Sequence, residues 1–287
     1  MRSGFVAVAG RPNVGKSTLV NALCGGKVAI VSEKPQTTRR RIFGIANDQD
    51  YQLVLADLPG FQRPLDPLTE HMQRTVDAAF EDVEGVLFVL SARERIGAGD
   101  GFVARRVFGI GVPVVIALNK VDRLKPGHIA SQMETAAKLG DFHALHPVSA
   151  KTGDGLAALR DELVALLPDG PLYYPQQQRT DLPVTVQIGE LIREQALRVT
   201  RDEVPHAITV EVEEIEDNLV RAGVLVETES QKQIVVGKGG SMIREIGRAA
   251  RPEIEALLGH HPVYLELHVK VRPRWRRDEA LLERLGI

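Results

Sequence analysis

Eight residues near the start, Gly10-Arg11-Pro12-Asn13-Val14-Gly15-Lys16-Ser17, have the types and spacing of an anion cradle. They fit G-x-x-x-x-G-K-[ST], the phosphate-binding loop. Successive backbone N–H groups in such a turn converge on one anion, and the N-terminus of a following helix adds partial positive charge. Lys16 is expected to reach the β- and γ-phosphates of a nucleotide, and the Ser17 hydroxyl to bind Mg²⁺. A Gly-rich turn with no ligand is the plain alternative. The flanks argue against it: Phe5–Ala9 reads as a short buried strand, and the run from Thr18 to Leu23 as a helix.

Three further constellations follow in order. Pro35-Gln36-Thr37-Thr38-Arg39 resembles the first switch loop of GTPases, whose threonine completes the Mg²⁺ shell when a γ-phosphate is present. Related loops keep threonine just before the arginine, which selects Thr38 over Thr37. Asp57-Leu58-Pro59-Gly60 is a D-x-x-G. Asp57 is expected to hold Mg²⁺ through water, and the Gly60 N–H to meet the γ-phosphate, an approach that a Cβ would block. Asn119-Lys120-Val121-Asp122 is an N-K-x-D, the most discriminating signal in the chain. Guanine offers N1–H and its 2-amine on one edge, and the Asp122 carboxylate can accept both. Adenine lacks that pair, and a buried carboxylate left unpaired is costly, so adenine is rejected. Asn119 would bond the base from the other side and tie loops together, and the Lys120 stem would lie along the ring. Ser149-Ala150-Lys151 adds an N–H from Ala150 for guanine O6.

The elements that must position these residues are apolar runs: Tyr51–Ala56, Val83–Ser91, Val112–Leu118 and Phe142–Val148. The phosphate loop and all the motifs after the first switch loop follow the C-terminal ends of such runs, which is where open α/β sheets bind ligands. Leu156, Leu159, Leu163, Leu166 and Leu167 recur at helical spacing and close the domain. At 287 residues the chain suits two domains of roughly 100–200 residues each. The net charge of −2 gives no global pull toward nucleic acid, so any basic surface must be local. The single cysteine, Cys24, excludes an internal disulfide framework and suits a reducing cytosol. No secretory signal and no run of membrane-spanning length is present.

Residues 168–183 are rich in proline, glutamine and glycine and read as a linker. Beyond it the pattern changes. Val184–Val199 reads as a helix, and two alternating runs around Asp217-Asn218 as a hairpin. Gly237-Lys238-Gly239-Gly240 is a G-x-x-G, followed by a helix with Arg244, Arg248 and Arg251 on one face. Leu265, Leu267, Val269 and Val271 alternate as a last strand. This is the order of a K-homology domain of the second type, in which the G-x-x-G clamps the backbone of single-stranded nucleic acid. The run Lys270, Arg272, Arg274, Arg276, Arg277 encloses Trp275, either a stacking ring or a side chain packed on the domain. Acidic residues on the hairpin turn that region away from nucleic acid.

Taken together, the chain resembles the Era GTPases of bacteria over essentially its whole length. The resemblance rests on G-R-P-N-V-G-K-S (Gly10–Ser17), Q-T-T-R (Gln36–Arg39), N-K-V-D (Asn119–Asp122) and V-G-K-G-G (Val236–Gly240). It implies an α/β fold: a P-loop GTPase domain over 1–168, a linker over 169–182 and an α+β type II K-homology domain over 183–287. The implied catalytic positions are Asn13, Lys16, Thr38 and Gly60, and the metal positions Ser17, Thr38 and Asp57. The nucleotide set is Gly10–Thr18, Asp57–Gly60, Asn119, Lys120, Asp122 and Ser149–Lys151. The RNA set is Gly237, Lys238, Gly239, Gly240, Arg244, Arg248, Lys270 and Arg274. The resemblance further implies GTP hydrolysis with Mg²⁺, binding to the 3′ end of small-subunit (16S) ribosomal RNA and help in assembling the pre-30S particle. The protein would be a cytoplasmic monomer loosely attached to the inner membrane. Leu58 departs from the family's usual threonine. Phe61 stands where Ras-like enzymes place a glutamine that orients water, so unaided turnover should be slow. Asn13 stands where potassium-activated relatives carry asparagine, which points to K⁺ beside the phosphates. Two other classes stay open: an RNA-binding protein with guanine nucleotide as a structural ligand, and an ATP-using enzyme, which N-K-V-D argues against.

Overall fold

The computed structural model describes residues 1–34, 36–61, 65–201 and 204–287. Pro35 and Pro64, in the two switch-like loops, lie outside them. The chain forms two units. One gathers residues 1–29 and 38–181 apart from 65–68; the other gathers 30–37, 65–68 and 182–287.

The first unit runs β1 (Arg2–Ala9), α1 (Lys16–Leu23), β2 (Ile42–Asn47), β3 (Tyr51–Asp57), α2 (Pro67–Ala78), β4 (Gly85–Ser91), α3 (Ala98–Val107), β5 (Val114–Asn119), α4 (Pro126–Ala136), β6 (Ala144–Pro147) and α5 (Leu156–Leu166). The sheet order is β2-β3-β1-β4-β5-β6. Only β2 is antiparallel. β4 and β5 are buried along their whole length, as strands covered on both faces must be. Leu19, Val20, Leu159 and Leu163 pack on one face of the sheet, and Val76, Val103, Val107 and Ala136 on the other. β1 has β3 on one side and β4 on the other, so the strand order reverses at its end. Phosphate loops are built at such a switch point.

Two features were not legible in advance. β2 is an edge strand that the apolar runs did not announce. Gly44 at its centre lets Val20 and Cys24 of the α1 region come close; a Cβ there would meet them at 2.7 and 2.8 Å. The backbone of the segment read as a linker is hydrogen-bonded along the first unit as far as Asp181. Gln52, fully buried within β3, accepts the Tyr173 and Tyr174 N–H groups at 2.7 and 3.0 Å and donates to the Tyr174 carbonyl at 2.8 Å. Ile45 N–H donates to the Arg179 carbonyl at 2.9 Å, and Phe43 N–H to Asp181 Oδ1 at 3.0 Å.

The second unit runs α6 (Val184–Val199), α7 (Val204–Ala207), β7 (Thr209–Glu216), β8 (Leu219–Val226), α8 (Glu229–Val236), α9 (Ser241–Leu258), β9 (Tyr264–Val271) and α10 (Glu279–Leu285). β7 and β8 form the expected antiparallel hairpin, with a register shift between Val212 and Glu214, and β9 joins β8 in parallel. Ile188, Ile192, Ala222, Val224, Ile246, Ala250 and Ile254 form its core. α8 starts at a capping box: Thr228 Oγ1 accepts from Gln231 N–H, and the Gln231 side chain accepts from Thr228 N–H. Residues 30–37 are held in this unit by charged side chains of α6. The Arg193 guanidinium donates to the Thr37 carbonyl, and Val31 N–H donates to Glu194 Oε1 at 2.9 Å. The Arg276–Asp66 ion pair, at 2.6 Å, ties residues 65–68 to the C-terminal segment.

Candidate nucleotide site and nucleic-acid groove

The phosphate loop spans the gap between β1 and α1. Gly10, Asn13 and Gly15 take positive φ of 154°, 64° and 101°, which winds the backbone into a cradle. Gly15 is also sterically required, because a Cβ there would lie 2.4 Å from Asn119 Nδ2. Lys16 begins α1 and arches back over the loop, donating to the Gly10 and Arg11 carbonyls at 3.1 Å each. Burial pushes its pKa down to about 8, against the pull of Asp57.

Ser17, Thr38 and Asp57 converge beside Lys16. Ser17 Oγ donates to Asp57 Oδ2 at 2.6 Å, and Thr38 Oγ1 lies 3.1 Å from Ser17 Oγ and 3.4 Å from Asp57 Oδ2. Thr37 is turned elsewhere, its hydroxyl donating to the Lys34 carbonyl at 2.7 Å. Burial raises the Asp57 pKa, opposed by Lys16 and by the two hydroxyl hydrogen bonds. Asp57 Oδ1 is buried with no hydrogen-bond partner among the described residues. An orphaned carboxylate oxygen beside two hydroxyls is a hard oxygen donor set, which fits Mg²⁺. Gly60 lies against the loop, where a Cβ would meet Pro12 at 2.9 Å. The Leu58 and Phe61 side chains face the core instead, and the Phe61 ring stacks on Phe80 at 6.1 Å.

At the base end, Asn119 closes β5 and ties three segments together. Its Nδ2 donates to the Val14 carbonyl and its Oδ1 accepts from Ala150 N–H, both at 3.0 Å. Lys120 Nζ donates to the Asn13 carbonyl at 2.5 Å. The Ala150 N–H expected for guanine O6 thus lies at the base end of the site, beside Asn119. Asp122 Oδ1 accepts from Ser149 Oγ at 3.0 Å, and its Oδ2 from Arg93 Nη2 at 2.7 Å. Burial alone would raise the Asp122 pKa; the Ser149 hydrogen bond, then the Arg93 charge, outweigh it and hold the carboxyl below its ordinary value. Sequence reasoning passed over Arg93 and over Asp100. Asp100 is buried, pairs with Arg11 Nε at 2.7 Å and caps Gly97 N–H at 3.0 Å. The available signal was position: Arg93 follows the C-terminal end of β4, on the ligand-binding edge.

In the second unit α8 stops at Gly237, whose φ is 71°, and Gly239 and Gly240 continue the turn with φ of 57° and 76°. Lys238 is exposed at its tip. A groove of about 300 Å³ lies between α9 and β9, a size within the range of ligand sites. Ile243, Gly247, Leu265 and Leu267 line it together with Arg244, Arg248 and Arg251. An apolar lining with cationic side chains suits unstacked bases and their phosphates. Two residues of the expected RNA set differ in setting. Lys270 is held by Glu213 at 2.6 Å, and neither it nor the exposed Arg274 lines this groove. Trp275 is fully buried and its Nε1–H donates to the Ala207 carbonyl at 2.7 Å, so it is no stacking platform. The hairpin acids are paired internally, Glu211 with Arg284 at 2.9 Å and Glu214 with Arg221.

Comparison with known proteins agrees with this division. A family model described as "50S ribosome-binding GTPase" matches residues 5–120, and one described as "KH domain" matches 203–276. GTPase Era of Heliobacterium modesticaldum is 42% identical, over 100% of this chain and 97% of its own. That of Lactobacillus helveticus is 44% identical, over 99% and 96%. Among solved structures, a variant of Aquifex aeolicus Era bound to GDP and AlF4⁻ superposes with a TM-score of 0.95 at 35% identity, covering 100% of this chain and 99% of its own. Era in complex with MgGDPNP and nucleotides 1506–1542 of 16S ribosomal RNA superposes at 0.93, again at 35% identity and with the same coverage. With both units matched in order and more than 40% identity along the full length, the chain belongs to the Era family of GTPases.

Proposed function

We propose that this GTPase grips guanine nucleotide in the first unit and the 3′ end of small-subunit (16S) ribosomal RNA in the arginine-lined groove of the second, and through that RNA assists assembly of the small ribosomal subunit. The observation that carries the nucleotide half is the orphaned Asp57 Oδ1 beside Lys16, Ser17 and Thr38. The groove along α9, and the ribosomal RNA held by the structurally similar Era complex, support the other half.

The roles follow from the geometry. The backbone of residues 10–18 cradles the phosphates, with Lys16 turned from the Gly10 and Arg11 carbonyls toward the β- and γ-oxygens. Ser17, Thr38 and Asp57 would hold Mg²⁺, which neutralises charge developing on the transferred phosphoryl group. Gly60 N–H meets the γ-phosphate. Asp122 accepts from the guanine edge, and Asn119 keeps the two loops beside it in register. With Phe61 in the core, no side chain at that place orients the attacking water, and unaided turnover is slow. Asn13 assists binding of K⁺ beside the phosphates; equal turnover in K⁺ and Na⁺ buffers of the same ionic strength would remove that role. GTP and RNA bind cooperatively, each raising affinity for the other by the same factor. The family resemblance supports a cytoplasmic monomer with peripheral contact at the inner membrane, which sedimentation and vesicle flotation check.

The test is cross-linking of the full chain, loaded with a GTP analogue, to a 16S 3′-end oligonucleotide. Adducts are expected at Gly237–Gly240 and along α9. Adducts confined to other surfaces, or none, would overturn the RNA assignment.

A further inference from the structure

The loop between β4 and α3 carries none of the motifs, yet it touches both ends of the nucleotide site. Ala92 N–H donates to the Asn119 carbonyl at 2.8 Å, and His128 Nε2 lies 3.1 Å from the Ala92 carbonyl. Glu94 holds Arg11 Nη2 at 3.2 Å. Arg93, between them, reaches the other way: its Nη2 lies 2.7 Å from Asp122 Oδ2 and 3.4 Å from the Asp122 carbonyl.

An ionised carboxylate offers about four acceptor sites, two on each oxygen. Ser149 takes one on Oδ1 and Arg93 one on Oδ2. One acceptor site on each oxygen is left, and the guanine edge brings two donors. We propose that Arg93 is a positioning residue for guanine specificity: it clamps Asp122 by the oxygen that Ser149 leaves, so that two acceptor sites stay aligned for N1–H and the 2-amine together. This rests on the proposed role of Asp122 in base recognition. The Arg93 charge also lowers the Asp122 pKa, after the Ser149 hydrogen bond and together with the residue's own backbone hydrogen bond and Lys151. The Arg93 side chain is 45% exposed and that of Asp122 10%, so the arginine is no core prop and its removal leaves the fold intact.

The competing account is an exposed ion pair of negligible worth. The two differ in what they do to a base with one donor fewer. Hypoxanthine keeps N1–H and lacks the 2-amine, so inosine diphosphate needs only one of the two aligned sites. Binding of GDP, inosine diphosphate and xanthosine diphosphate to the full-length chain is measured by calorimetry, with Arg93→Ala, Arg93→Lys and Asp122→Asn, from pH 8 to 4.5. Arg93→Ala should weaken GDP about tenfold, the scale of one charge-assisted hydrogen bond after discount for solvent. Inosine diphosphate should weaken no more than about threefold, and the GDP deficit should widen as the pH falls. Arg93→Lys, which keeps the charge and loses the fork, should remove the widening and restore only part of the preference. Equal losses for both nucleotides, or no loss, would overturn the role of Arg93. Asp122→Asn is the control on the underlying reading: it should move preference to xanthosine diphosphate. If it does so while Arg93→Ala is silent, only the Arg93 inference falls; if Asp122→Asn keeps guanine preference, the base-recognition reading falls with it.

Discussion

Trp275 separates a structural reading of the basic C-terminal segment from a nucleic-acid reading. It is the chain's sole tryptophan, fully buried, with its indole N–H on the Ala207 carbonyl at 2.7 Å. Trp275→Phe removes the donor and strands that carbonyl, at about 1–3 kcal/mol, and also opens space left by the smaller ring. Trp275→Ala belongs with large-to-small core changes of about 3–5 kcal/mol. For a unit of about 100 residues each kcal/mol moves the melting point by roughly 4–8 °C. Trp275→Ala should therefore lower the second unit's transition by more than about 10 °C, read by circular dichroism. In the unaltered protein, indole fluorescence reports that unit alone: emission should be blue-shifted and unquenched by bound RNA. A stacking ring makes the opposite forecast. Stacking is worth about 1–3 kcal/mol per base, so Trp275→Ala would cut RNA affinity at least several-fold, leave the melt unchanged, and the fluorescence would fall on RNA addition. That result would refute the packing argument.

Thr38→Ala should reduce GTP turnover at least tenfold in single-turnover assays, because its hydroxyl sits with Ser17 and Asp57, whereas Thr37→Ala, with its hydroxyl on Lys34, should stay within about threefold. Arg248→Ala should weaken RNA binding and lower the salt slope by about 0.7, the value for one phosphate of a single strand. Lys270→Ala should change neither in the same filter-binding assay, because its ammonium is held by Glu213. Glu190→Gln with Arg193→Met, which removes a buried ion pair whole rather than stranding half of it, should shrink the difference in RNA affinity between GTP-analogue and GDP states; an unchanged difference would sever Arg193 from the coupling.

The phosphate loop, D-x-x-G, N-K-x-D and S-A-K were legible because each is short and follows an apolar run; backbone continuity alone fixes most of their geometry. What escaped was set by partners far along the chain. β2 exists because β3 offers it an edge, and Gly44 at its centre gives no hydrophobic signal while making room for Val20 and Cys24. The proline- and glutamine-rich stretch has the composition of a linker, but Gln52, a buried amide inside a strand, gives its backbone three hydrogen bonds. Trp275 sits among five cations, yet a carbonyl 68 residues earlier decides its burial. Arg93 obeys no motif; only the fold brings it to Asp122, 29 residues on. Local chemistry names a site, and long-range pairing decides which other residues complete it.

The boundary between the two units cuts the first switch-like loop at Thr38, the residue proposed to complete the metal shell. Residues 30–37 belong to the second unit and Thr38 to the first. The Thr38 hydroxyl lies with Ser17 and Asp57, while one peptide bond earlier the Thr37 carbonyl is held by the buried Arg193. Adjacent Cα atoms are fixed 3.8 Å apart by the peptide link. A shift of Thr38 therefore strains, or carries along, the hydrogen bond from Arg193 to the Thr37 carbonyl. One hydrogen bond to a charged group is worth about 1.5–3 kcal/mol. Coupling energies between sites are typically about 1–3 kcal/mol. Under the proposed coupling, the Arg193 contact to the Thr37 carbonyl is therefore the one that a shift of Thr38 must work against.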